Sequence, residues 1–101
     1  MTTDYVFSLS AKIEEHIGVC NVLLRRMVKV KGELTNPDAI TNTINVEASV
    51  VTMLAAYISM QTIIRECAGV GLTPTFMSGA ESLIQLGDDH LPELVKEYLD
   101  A

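Results

Sequence analysis

His16 and Cys20 stand one helical turn apart, a spacing at which two side chains could share a metal ion. Zinc takes three or four ligands, and no third ligand falls at a matching interval. Packing is therefore the reading for this pair, and no metal is expected. Cys20 and Cys67 invite a disulfide. In a helical hairpin that turns near Glu33 and Leu34, residue 20 lies opposite about residue 48. Cys67 is then some nineteen residues further on, roughly 28 Å away at 1.5 Å per residue. A bridge needs Cα atoms within about 7 Å, so none is expected. Glu14, Glu15, Glu47 and Glu66 lack the repeated Glu-x-x-His pattern of di-iron bundles. They also lack the acidic density on facing helices that a magnesium-dependent nucleotide hydrolase needs. No catalytic residue and no cofactor is assigned.

The most concrete binding candidate is basic. Arg25, Arg26, Lys29 and Lys31 crowd the end of a helical stretch, where the helix dipole favours cations. A hairpin would bring them beside the N-terminus of the next helix, which follows Asn36. Cations and free backbone N–H groups together suit a phosphate, a nucleotide or a partner carboxylate. Asp38 competes for the same N-terminus and could pair with Lys31. A second polar set, Glu47, Gln61 and Arg65, is expected to fix register between helices, not to catalyse.

The elements that would carry these residues are helical, because apolar residues recur at steps of three and four and never alternate as in strands. A first helix is predicted from Thr3 to Lys31, with Ile13, Ile17, Cys20, Leu24 and Met27 along one face and Gly32 as its stop. Gly18, mid-helix, suggests close backbone approach to residues 48–52. A second helix is predicted from an Asn36 cap and Pro37 to Gly69 or Gly71. It carries two apolar seams. Val46, Val50, Met53, Tyr57, Met60 and Ile64 form one, continued by Cys67; Ile40, Ile44, Val51, Leu54 and Ile58 form the other. One seam meets the first helix and one meets a second copy, and the first seam is taken as the oligomer interface. Beyond Gly71, a short helix from Pro74 or Ser78 to Gly87 and a last one from Pro92 are expected. The last helix would dock through Leu94, Val95 and Tyr98, leaving Asp88, Asp89, Glu93 and Glu97 exposed. Removing residues 88–101 should leave the hairpin folded.

Composition limits what this architecture can do. At 101 residues the chain is one domain, 1–101, with a hairpin over about 3–68 and a C-terminal section over about 72–101. Its 49% hydrophobic content is more than a monomer of this size easily hides, which points to an oligomer, a dimer first. A net charge of −6 disfavours unspecific nucleic-acid binding. The charge is uneven: residues 1–33 hold five basic and four acidic groups, and residues 67–101 hold one basic and six acidic.

Ala48 to Ile64 runs without a charge and would extend about 26 Å as a helix, slightly short of a hydrocarbon core of about 30 Å. Ser49, Thr52, Ser59, Gln61 and Thr62 interrupt it, and no Lys or Arg cluster orients it, so a holin-like span is disfavoured. Two cysteines and no secretory leader lead to a cytoplasmic expectation, host cytoplasm included.

The expected protein is all-α: a long antiparallel helical hairpin plus one or two short C-terminal helices, packed as a homo-oligomeric bundle. It would act without catalysis, as an adaptor, inhibitor, chaperone or sequestering protein, of a kind that suits a phage or mobile-element accessory protein. Its partner would be another protein or a small anionic ligand. The rival readings are a small helical enzyme and a nucleotide-binding oligomer.

Overall fold

Asn36 opens one helix and Thr73 another, each by accepting backbone N–H groups on its side-chain oxygen. Asn36 Oδ1 takes those of Asp38 and Ala39 at 2.8 and 3.3 Å, and Thr73 Oγ1 takes that of Phe76 at 3.1 Å. A proline follows each cap, where its missing N–H costs nothing. The computed structural model describes residues 3–67 and 71–100. Within them the chain forms α1 (Thr3–Glu33), α2 (Pro37–Cys67) and α3 (Pro74–Tyr98). All of the regular structure among the described residues is helical. Of the two expected ends of α2, Gly69 lies outside the described residues, and Gly71 is non-helical with φ 81°.

Each helix buries a stripe at helical spacing, in steps of three, four or seven. On α1 it runs Val6, Leu9, Ile13, His16, Cys20, Leu23, Met27, and on α2 through Thr43, Val50, Tyr57 and Ile64. On α3 it runs Met77, Ala80, Ile84, Gly87, Leu91, and ends at Tyr98. The three stripes meet in a single core. The molecule is a rod of 51 × 20 × 18 Å, as expected when helices of some thirty residues lie side by side.

Polar contacts fix how the helices meet. Gln61, buried on α2, donates to Glu14 at 2.8 Å and to the Ser10 carbonyl at 3.3 Å, and accepts from the Ser10 hydroxyl at 2.9 Å. Arg65 reaches the same Glu14 at 3.2 Å, and Glu47 binds Lys31 at 2.8 Å. Glu47, Gln61 and Arg65 thus all find their partners on α1. On the other side, α3 is tied to α1 by His16 with Asp88 and by Arg26 with the Tyr98 carbonyl.

Three expectations change. Gly32 does not stop α1, which continues to Glu33. Gly18 is exposed and a side chain there would meet nothing within 4 Å, so it marks no close approach. And α3 is one helix of 25 residues, not two short ones. Gly87 sits inside it as a buried core position, and Pro92 lies within it, giving up only the bond to the Asp88 carbonyl. Burial of Ile84, Leu91 and Tyr98 on one stripe carries the helix through both residues. Leu91 and Tyr98 therefore belong to the core, so a cut at residue 88 would remove core side chains.

Gly87 is the tight point. A Cβ there would overlap the Tyr57 hydroxyl and come within 2.7 Å of His16 Cδ2. Gly87→Ala is expected to destabilise the fold by about 1–3 kcal/mol, the usual cost of overpacking a closed core. Chemical denaturation checks this. Tyr57→Phe in the same chain should cost less than its separate effect adds, because it removes one of the two clashes.

Candidate functional site

Two places bring polar groups together, and neither is the one the basic residues alone suggest. Arg26 is drawn toward α3, its Nε donating to the Tyr98 carbonyl at 3.1 Å. Lys31 is drawn the other way, to Glu47 on α2. Arg25 folds back on the Asn21 carbonyl of its own helix at 3.5 Å, and Lys29 is exposed. The N-terminus of α2 is already occupied by Asn36. A cavity of about 350 Å³ does lie at this end, lined by Arg26, Asn42, Thr43 and Glu97. Its one guanidinium shares it with a carboxylate, which weakens it as a home for an anion.

The first convergence is at mid-rod. His16 Nε2 lies 3.0 Å from Asp88 Oδ1 and 3.2 Å from the Ile84 carbonyl oxygen. Both partners are acceptors, so Nε2 carries the hydrogen. Tyr57 donates to the Leu83 carbonyl at 2.7 Å, and its ring centre is 5.4 Å from that of His16. Burial is the main reason that the Tyr57 phenol is pushed up to about 12; Cys20 and Asp88 add to the shift and the Gly87 N–H opposes it. Burial likewise pushes the Cys20 thiol up to about 11. A buried phenol and a buried thiol that both hold their protons are poor nucleophiles and poor bases. The layer joins three helices. His16 and Cys20 do share a face, and among the described residues no three His, Cys, Asp or Glu side chains converge as a metal site would require. Both cysteines are free thiols.

The second convergence is a groove between α1 and α3. Two adjoining hollows of about 430 and 470 Å³ share Glu15, Val19 and Val95. Val22 and Leu99 extend the apolar floor, and Asp88 and Asp100 stand on the rim. Val19 and Val22 are not on the face that the spacing along α1 picks out. Only the fold shows that α3 leaves a trough beside them.

The six residues expected at an oligomer interface are placed inside the chain. Val50, Tyr57 and Ile64 are buried, and Val46, Met53 and Met60 pack against the core. The other seam is open at three of its five positions: Ile44, Val51 and Ile58 are 46%, 49% and 47% exposed, while Ile40 is half-buried and Leu54 packs against the core. The helix that carries them, Pro37–Cys67, is long and apolar enough to cross a membrane by length and composition alone, a test that core helices of soluble proteins also pass.

Two measurements follow. Arg26→Ala removes the clamp on the last turn of α3 and is expected to cost about 1 kcal/mol, while Lys29→Ala should stay within about 0.5 kcal/mol of wild type on denaturation. The second concerns pH. The folded chain holds the Cys20 and Tyr57 protons to about 11 and about 12, above their ordinary values of 9.0 and 10.0. Unfolding then releases protons in that range, so stability is intact below pH about 9 and falls as pH rises toward 12. Melting curves should show the fall, with the portion between pH 9 and 10 reduced in Cys20→Ala. No protein-family model, curated protein or solved structure matches the chain, so its function is argued from these residues and their geometry.

Proposed function

We propose that the protein is a self-associating helical module that acts by binding, and that the outer face of α2 is where two copies meet. The observation that carries the reading is the open row Ile44, Val51 and Ile58. Ala48, Ala55 and Thr62, all exposed, lie between and beside them at alternating steps of four and three. That is a second heptad stripe on a helix whose first stripe is already used by its own chain.

The order of sizes along the stripe supports an antiparallel pair. About a two-fold axis beside residue 53, Val51 faces Ala55, Ile58 faces Ala48 and Ile44 faces Thr62. Every large side chain then meets a small one, as an isologous interface requires. The rod's long face, 51 Å by 20 Å, exceeds the roughly 800 Å² per partner that a stable interface occupies. Within each copy, α1 and α2 form an antiparallel hairpin, a reading supported by the pairing of Glu14 with Arg65 and of Lys31 with Glu47. Self-association would hide apolar surface that otherwise stays in water, which also favours a chain that works without a membrane.

Val51→Asp with Ile58→Asp places charges on this row without touching the buried stripe. Light scattering at tens of micromolar should give two chains for the wild type and one for the variant, with melting temperatures within a few degrees. A wild type of single-chain mass would overturn the reading. So would a wild type that needs detergent and floats with lipid vesicles, since lipid would then cover the row.

A further inference from the structure

We infer that the groove between α1 and α3 receives a basic amphipathic helix of a partner protein. The inference rests on the binding reading above and not on self-association, because the groove is lined by α1 and α3 and by none of the α2 row. The groove has an apolar floor, Val19, Val95 and Leu99, with Val22 46% exposed at its edge. Its walls carry carboxylates, and neither hollow is lined by a Lys or Arg. Asp88 pairs with Lys12 at 3.9 Å and lies 3.0 Å from His16 Nε2. Glu15 and Asp100 have no ion-pair partner among the described residues.

Shape and charge select the occupant together. From Glu15 to Val22 the α1 wall runs about 11 Å, and from Gly87 to Leu99 the α3 wall runs about 18 Å, at 1.5 Å per residue. That length takes two to three turns of a helix, presenting apolar anchors at i, i+3 or i+4, and i+7 to the floor. The flanking positions of such a helix lie against Glu15 on one side and Asp100 on the other, so Lys or Arg there is favoured and Asp or Glu is repelled. The chain's net charge of −6 attracts the same partner from a distance. Gly18 adds room at the α1 wall, since nothing lies within 4 Å of the space a side chain would fill. An apolar helix alone would not need the carboxylates, and an anionic one would be excluded by them.

The test uses a fluorescent helical peptide of about fourteen residues, with Leu at the anchor positions and Lys elsewhere, titrated with the full chain at physiological salt. A counterpart with Glu in place of Lys is run beside it. The Leu/Lys peptide should bind in the micromolar range and the Leu/Glu peptide at least tenfold more weakly. Glu15→Lys with Asp100→Lys should weaken the Leu/Lys peptide at least tenfold. Glu33→Lys with Asp38→Lys makes the same change in net charge away from the groove and should shift binding less than twofold. Equal weakening in the two double variants would show unspecific attraction and overturn the proposal, as would no binding by the wild type. The Val51→Asp, Ile58→Asp variant should retain binding. If it loses the peptide, the site is the α2 face and the groove assignment fails. A single-chain wild type that still binds would remove self-association and leave the groove standing.

Discussion

The whole packing depends on one close approach, that of Tyr57 to the backbone of α3 at Gly87. The phenol reaches the Leu83 carbonyl at 2.7 Å only because residue 87 has no side chain to hold it off. Once Tyr57 is seated, His16 can lie against its ring and still reach Asp88 and the Ile84 carbonyl. A buried hydroxyl and a buried imidazole would each be costly if unpaired. Here α3 supplies both with acceptors from its own backbone, and this ties its register to those of α1 and α2. Pro92, one turn further along, leaves the Asp88 carbonyl without its helical N–H. The residues that loosen α3 are thus gathered where the other helices press on it.

Register between α1 and α2 is set by a different device. Gln61 is buried on the apolar side of α2, and its amide is satisfied only by Ser10 and Glu14. A slip of α2 by one turn would strand that amide and detach Glu47 from Lys31. Apolar side chains are forgiving about register because many arrangements bury similar areas. A few polar pairs make the alternatives expensive, even where the pairs add little net stability.

Much of this was readable from residue order, and the misses have physical reasons. The Asn36 cap and Pro37 are local chemistry and placed the beginning of α2, whereas Pro74 was one of two starts left open for α3 and Pro92 marked a start that does not exist. The two seams of α2 were visible as periodicity. Which seam faces its own chain was not, because Val50 and Val51 are equally apolar and only the third helix decides between them. Gly87 misled for the opposite reason. Glycine and a following proline usually punctuate helices, and here tertiary burial overrode both. Met77, Ala80, Ile84, Gly87 and Leu91 keep the step of three and four without a break, and that regularity was the signal that the helix continues. The basic group is similar. Four cations close in sequence spread around a helix, so Arg26 and Lys31 end on different neighbours.

The arrangement of free surfaces bears on what a binding role would gain from pairing. The open row belongs to α2 alone, and the groove is lined by residues of α1 and α3 alone. Pairing through the α2 row would use none of the residues that line the groove. A protein that presents two basic helices, or a surface that repeats one, would then engage both grooves. The second contact would be intramolecular and so would need little affinity of its own. Shallow troughs of this size gain modest affinity singly, because the ordering of a short helix consumes much of the gain. Pairing is the physical means by which a chain this small could hold a partner firmly without enlarging either surface.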